Sequence, residues 1–508
     1  MERPEVLVVG AGGAGAVLAA RLSEDADRQV VVLEAGPVPR EGFPPDLLDA
    51  RRVPGARAGH PFTRAHAAHL IPGRLYAALR GRVLGGSTTV NGGYFVRARR
   101  ADFDRWSAEA GDPFWSYERV LPFLRALEND LDLGAGPLHG DEGPIPVRRA
   151  DLRHPAAEAF RAAAHELGFP DEPDKNAQDA PGFGPVPSNS VGGRRVNTGL
   201  AYLLGVLDRP NLTVLGDHAV LSVLFDRGRA TGVLVEHRGR RTVMEAGEII
   251  LCAGAFATPH LLHLSGIGPE KELTRLGIPV VQDLPAVGAA LSDHPQVMLE
   301  WTPRRPLPAP SGSWLGGVLH LSSSTGEHPG DLEILQSLAS PAALVGEAAP
   351  PGAPLPFLVS VQTPRRTGVL STESADPSVP PRIDYGYLET PDDRRLMREA
   401  VRAAADVAAT GAFAEVSAGL LGPEPRTLDD DRALDGWIRS RLGTSQHTCG
   451  TVPMGGLGAV DARGRVHGVT GLRVADTSIL PTAPLRGPAA TAVLLGELIA
   501  DAVRRERS

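Results

Sequence analysis

Glu5-Val6-Leu7-Val8-Val9-Gly10-Ala11-Gly12-Gly13-Ala14-Gly15-Ala16-Val17-Leu18-Ala19-Ala20-Arg21-Leu22 runs from a short apolar segment through G-x-G-x-x-G into a small-residue amphipathic segment. That order predicts strand, turn and helix, the opening of a dinucleotide-binding βαβ unit. Gly10 permits the tight turn, Gly12 lets backbone N–H groups approach a pyrophosphate, and Gly15 lets the helix pack closely on the strand. The positive end of the helix then faces the phosphates. A second apolar run, Val30-Val31-Val32-Leu33, ends in Glu34, a carboxylate placed to accept hydrogen bonds from ribose hydroxyls. These residues alone leave NAD, NADP and FAD open, with a ligand-free βαβ unit as the plain alternative.

At 508 residues and 42% apolar content the chain exceeds what one core usually supports, so at least two domains are expected. The net charge of −8, with 52 basic and 60 acidic residues and no basic tract, argues against nucleic acid as a partner. Cys252 and Cys449 stand far apart, in neither zinc nor CxxC spacing, so neither a disulfide nor a metal site is expected. A first strand near residue 5 leaves no room for an export signal, and no apolar run is long enough for a membrane span. The expectation is a cytoplasmic protein, with peripheral docking on a membrane partner left open.

After Glu34, a Pro-, Gly-, Arg- and His-rich stretch to about residue 80 shows no clear periodicity and reads as long loops over the cofactor, with His60, His66 and His69 as exposed loop histidines. Residues 102–106, 117–127 and 156–167 read as helical. From Asn211 the runs at 212–215, 219–225, 230–236 and 242–244 read as a β-meander. Glu248-Ile249-Ile250-Leu251 then reads as a parallel strand returning to the first sheet. Strands at 296–301, 331–335 and 356–361, followed by a helix over 392–409, suggest a substrate-side domain.

Two extended motifs, Gly81 through Asp104 and Gly254 through Gly268, are joined by Ser292-Asp293-His294-Pro295, by His447-Thr448-Cys449-Gly450-Thr451-Val452-Pro453-Met454-Gly455, and by Gly471 through Pro481. On these the chain resembles the glucose-methanol-choline (GMC) oxidoreductase family over nearly its whole length. The resemblance implies an α/β fold: an FAD-binding Rossmann-like domain and a second, substrate domain built on a largely antiparallel sheet with helices. The implied division is 1–150 as the first FAD-binding part, with loops and a lid around 38–80, and 151–210 as a substrate-side connecting segment. Residues 211–294 return to the FAD-binding domain, 295–430 form the substrate domain, and 431–508 close the FAD-binding domain with the catalytic loop.

By the same resemblance FAD is the cofactor. Gly10, Gly12, Gly13, Ala14, Gly15 and Glu34 belong to its adenosine and pyrophosphate end; Gly86, Ser87, Asn91, Gly92 and Tyr94 line the flavin side; the backbone of Val220 meets the adenine. Asp476 lies in the last family motif, and Pro488 opens the closing helix, whose dipole points at the flavin pyrimidine edge. Relatives with covalent flavin carry a histidine where Val90 stands, so the expected FAD is non-covalent. His447 is the implied catalytic base, an imidazole of near-neutral pKa that takes an alcohol proton while hydride leaves for flavin N5.

Many relatives place a second His or Asn where Gly487 falls; neither Gly487 nor Ala489 can donate from a side chain. Arg486 is either the replacement or a solvated loop charge. The expected function is oxidation of CH–OH groups on a small-molecule alcohol, with electrons passed to oxygen, a quinone or a carrier. Asn91 to Phe95 with Arg486-Gly487-Pro488 also resembles the mycofactocin-associated branch, which implies a reduced redox carrier as substrate. An FAD-containing lyase and a non-catalytic flavin carrier are the competing readings.

Overall fold

The computed structural model describes residues 3–326, 328–363, 365 and 367–507. Strand β1, Val6–Val9, is wholly buried and enters helix α1, Gly15–Leu22, through the glycine turn. Strand β2 covers Val30–Leu33. A five-stranded sheet runs in the order Leu212–Leu215, β2, β1, Glu248–Leu251, Leu472–Val474, and every neighbouring pair is parallel. Unbroken Val, Ile and Leu runs suit such strands because helices and loops cover both faces.

Two expectations fail here. Leu212–Leu215 is the edge strand beside β2, not the first strand of the meander; only Ala219–Asp226, Arg229–His237 and Arg240–Glu245 form the antiparallel three-stranded sheet. The stretch read as loops up to residue 80 contains a hairpin, β3 (Thr63–Ile71) and β4 (Arg74–Gly81), which joins Arg382–Asp384 and Val369–Ser371 in a four-stranded sheet. Its Ala, Arg and His residues carry little strand propensity, so pairing with a distant segment supplies the order. His60 and His66 are therefore buried, and His66 packs its ring 5.2 Å from that of Phe256.

A seven-stranded sheet forms the second layer. Its main path is Ser417–Leu420, Pro295–Pro303, Leu355–Val361, Leu332–Ser337, Leu315–Leu321, Phe183–Pro185, and Gly443–Thr444 also pairs with Pro295–Pro303. All its neighbouring pairs are antiparallel. One face buries Leu319, Leu332, Ile334, Phe357 and Val359 against the helices Pro155–Glu166 and Pro391–Ala409. The second of these helices is capped by Thr390, whose hydroxyl accepts from Asp393 N, and it turns Leu396, Met397, Ala400, Val401 and Ala404 inward at helical spacing. The opposite face carries an apolar row, Val318, Leu335 and Leu358, beside a polar row, His320, Glu333 and Ser360, each row being cross-strand neighbours.

The closing helix, Ala489–Arg507, lies across α1. A Cβ on Gly496 would come within 2.6 Å of Ala14 O, so glycine is what lets the two backbones approach. Arg21 and Tyr202 both bond the Glu497 carboxylate and fix this crossing. Among the described residues no helix is long and apolar enough to cross a membrane.

Candidate active site

The glycine turn and the second glycine-dense segment meet backbone to backbone. Gly85 N donates to Ala11 O, and a Cβ on Gly86, at φ +53°, would lie 2.8 Å from Gly12 Cα. A Cβ on Gly10, at φ +99°, would strike Cys252 O at 2.6 Å, and one on Gly15 would strike Gly10 O at 2.0 Å. Only glycine fits these three positions. Gly13 faces Thr88 and Ala492, which brings the first turn close to the start of the closing helix.

Glu34 is buried at the end of β2. One carboxylate oxygen accepts from Ala11 N and the other from Gly36 N, each at 2.9 Å. Asp217 N and His218 N bond Gly36 O and Glu34 O, so the chain leading to Val220 runs past this carboxylate. Ser87 begins the short helix Ser87–Val90 and accepts from Gly81 N. Asn91 accepts from Gly93 N, while Gly92 lies against the indole of Trp314, which donates to Gly92 O. Tyr94, two residues on, is half-buried, with its hydroxyl beside Glu333.

Asp476 makes an internal brace. Its oxygens accept from Gly254 N, Thr258 Oγ1 and Ser478 N, which ties the start of helix Gly254–Leu264 to the segment after the fifth parallel strand. Pro488 is the residue ahead of the closing helix, and its carbonyl accepts from Ala492 N.

His447 stands on the loop after Gly443–Thr444. Its Nδ1 lies 2.8 Å from Nδ1 of His294, with the rings at 84°. Asp293 holds this pair from behind, accepting from His294 N at 2.7 Å, from His447 N at 2.9 Å and from Thr448 Oγ1 at 2.5 Å. From β4, Arg80 donates to Gln446 Oε1 and Thr448 Oγ1 on either side of His447. Burial, helped by the Arg80 charge, pushes His447 down to about 3, where near-neutrality was expected. Burial and the His447 neighbour also pull His294 well down, against the Pro484 and Gln362 carbonyls, which favour a proton on it. Burial thus favours the neutral form of both imidazoles, and the Nδ1···Nδ1 contact then needs a proton on one of the two nitrogens.

Gly487 is flush with the other edge of His447: a Cβ there would lie 3.3 Å from both Cε1 and Nε2. Arg486 is no solvated loop charge; it is completely buried. Sequence reasoning treated Asp293 and His294 only as landmarks and missed Arg80, Glu333 and His320. A signal existed for the last two: Leu319-His320-Leu321 and Leu332-Glu333-Ile334 put a lone polar residue inside an apolar strand.

The segments carrying Glu128, Asp130, His139 and Asp174 form an ion-pair network apart from this site. His139 bonds Glu128, Asp130 and Asp174, while Arg97 and Arg149 pair with the same carboxylates. Two guanidinium groups already neutralise these oxygens, and the cluster offers a cation little. Cys252 and Cys449 are both buried free thiols.

A parallel sheet with a glycine turn between its central strand and first helix, and a buried imidazole pair at the edge of the second sheet, is an arrangement compatible with a dinucleotide-dependent redox enzyme. The GMC oxidoreductase profiles match residues 5–296 and 364–496. An uncharacterized GMC-type oxidoreductase from the thcA 5′ region of Rhodococcus erythropolis is 40% identical, covering 97% of each chain. An oxygen-dependent choline dehydrogenase of Yersinia pestis is 34% identical over 98% of this chain and 93% of its own. The crystal structure of pyridoxine 4-oxidase from Mesorbium loti superposes with a TM-score of 0.91 at 29% identity, covering 99% of each chain. The chain belongs to the GMC oxidoreductase family, and is an FAD flavoenzyme.

The residues present fit that cofactor. The Gly12–Gly86 approach leaves backbone without side chains at the helix N-terminus, as a pyrophosphate needs, and Glu34 is oriented by two N–H donors beside it.

Proposed function

We propose that this enzyme oxidises the CH–OH group of a small-molecule alcohol with His447 as general base, and passes the electrons to an external acceptor. FAD, when bound, supplies the two-electron acceptor, its N5 taking the hydride. The observation that carries the reading is the His294–His447 contact. In this reading His447 is the donor of that contact and His294 Nδ1 the acceptor. His447 then donates through Nδ1, and its Nε2 keeps a free lone pair at the edge that meets Gly487. A neutral imidazole in this tautomer can take a hydroxyl proton at Nε2.

Asp293 and Arg80 hold the loop so that the ring cannot turn away. Gly487 leaves room at Nε2 for the substrate oxygen where relatives carry a second polar side chain. Glu34 binds the ribose hydroxyls, the Gly10 to Gly15 turn binds the pyrophosphate, Val220 meets the adenine through its backbone, and Ser87, Asn91, Gly92 and Tyr94 form the flavin side. Pro488 sets the closing helix so that its N-terminus faces the flavin. Val90 offers no nucleophilic atom, so FAD is held without a covalent bond.

The test is anaerobic mixing of the yellow enzyme with a panel of primary and secondary alcohols, a reduced mycofactocin-type carrier among them. Bleaching of the flavin absorbance is the expected result. Cleavage of a cyanohydrin with no bleaching by any alcohol would instead indicate a lyase. Reoxidation with oxygen, dyes and quinones then identifies the acceptor class.

A further inference from the structure

Arg486 immediately precedes Gly487, and so begins one residue from the Nε2 edge of His447. Its Nη1 donates to Gly330 O at 3.0 Å and to Leu485 O at 2.6 Å, while Nε and Nη2 are buried with no partner. Among the described residues it makes no ion pair within 4 Å. A fully buried guanidinium with two unused donors is costly unless an anion meets it.

Its surroundings share the same excess. Glu333, whose own burial pushes it up to about 7, is the acid nearest in effect to Arg486. The Glu333 carboxylate is bonded to His320 at 3.0 Å, and His320 is neutral because burial and three nearby cations keep it so. Glu172 is taken up by Lys175 at 2.6 Å and by Arg99 at 3.5 Å. Arg99, Lys175 and Arg486 thus stand near Glu333 and Glu172, while Asp102, a third buried carboxylate that feels Arg486, is already paired with Arg105 at 2.7 Å and accepts from Leu485 N. Other buried polar atoms here also lack a well-formed hydrogen bond, among them Tyr94 Oη, beside Glu333 and Arg486, Gln362 Oε1, whose amide nitrogen bonds Ser360 in the same sheet, His320 Nδ1 and Glu172 Oε1.

We infer that the hydroxyl compound oxidised at His447 also carries a carboxylate, which Arg486 receives through Nε and Nη2. The inference rests on the alcohol-oxidising reading above for where the hydroxyl goes, and adds the class of substrate: a hydroxy acid. A planar guanidinium with two adjacent N–H donors free matches a carboxylate oxygen pair. Tyr94 supplies a hydroxyl on the same side of the sheet. Arg486 is consecutive with Gly487, and its charge reaches His294, the partner of His447.

Two measurements on the FAD-loaded enzyme test this. In the first, acetate and acetamide are titrated without turnover while the flavin absorbance is followed. Acetate should perturb the spectrum with an affinity ~10–100-fold better than acetamide, and Arg486→Gln should abolish the difference while Arg486→Lys keeps part of it. Equal binding of the two probes to the unaltered enzyme overturns the inference, whether or not Arg486→Gln folds; so does unchanged acetate affinity in a folded Arg486→Gln. In the second, hydroxy acids are compared with their primary amides for anaerobic flavin reduction, and the acids should reduce it at least ~10-fold faster at low concentration. If neutral alcohols bleach the flavin and the acids have no advantage, the substrate class falls and the redox reading stands. Arg486-dependent acetate binding with no reduction by any alcohol leaves the anion site standing and removes the redox reading.

Discussion

His294 and His447, 153 residues apart in sequence, meet through their Nδ1 atoms at 2.8 Å with nearly perpendicular rings. With His447 as the donor, as proposed, this contact leaves Nε2 of His447 as the basic nitrogen. Replacing His294 by Asn keeps an acceptor near the Nδ1 position, whereas Phe removes it. Flavin reduction should stay within about tenfold of the unaltered enzyme in His294→Asn and fall roughly 10–100-fold in His294→Phe, the usual range for a partner that orients a reacting group. Anaerobic stopped-flow rates for the two variants check this; equal loss in both would show that the contact serves packing alone.

Beside the His447 ring Gly487 leaves space for a hydrogen-bonded oxygen but not for an unstrained Cβ. A side chain there begins 3.3 Å from Cε1 and Nε2, so the ring must shift by a few tenths of an ångström. Gly487→Asn, which restores the residue type common in relatives, should therefore slow flavin reduction by about tenfold, since small displacements of a reacting group are costly. A faster rate would mean that a second polar group was what the site lacked.

The pH range of stability should carry the mark of His139. Burial opposes its charge, but Asp130, Asp174 and Glu128 together push it up to about 10. Asp174, despite burial, is pulled down to about 2 by His139 and Arg149. A raised histidine stabilises fully below its unfolded value of about 6.5 and loses that effect as pH rises toward 10. A depressed carboxylate stabilises above about 4 and loses the effect as pH falls toward 2. The network thus contributes most between about pH 4 and 6.5. His139→Gln should lower stability there by about 3–5 kcal/mol, as expected when one member of a buried ionic cluster is removed. Thermal midpoints of both proteins, followed from pH 4 to 10, should converge at the alkaline end.

Acid denaturation should release free FAD. Val90 is buried in the short helix where covalently flavinylated relatives carry histidine, and it has no atom to bond the isoalloxazine. Precipitation followed by absorbance of the supernatant checks this, and colour retained on the pellet overturns it.

What the sequence made legible was local. The glycine turn, Glu34 and the His447 motif depend on residues within a few positions of one another, where steric demands leave their mark. The β3–β4 hairpin is not legible because Ala, His and Arg dominate it, with β-branched residues only at the ends of β3, Thr63 and Ile71, and its partner strand lies some 300 positions on. Leu212–Leu215 looked like its neighbours in composition; only pairing with β2 separates it from the meander. Arg486 shows the same limit at the site, since nothing in Leu-Arg-Gly-Pro tells a buried guanidinium from an exposed one. The His294–His447 pair and the polar row on the second sheet exist only once distant strands are brought together.

The central claim is that His447 removes the substrate proton. Anaerobic flavin reduction by the best alcohol, measured in a stopped flow for the unaltered enzyme and for His447→Ala at equal FAD content, tests it most directly. The expected result is a rate ~10²–10⁴-fold lower in the variant with FAD still bound. Reduction of the variant at the unaltered rate would contradict the account.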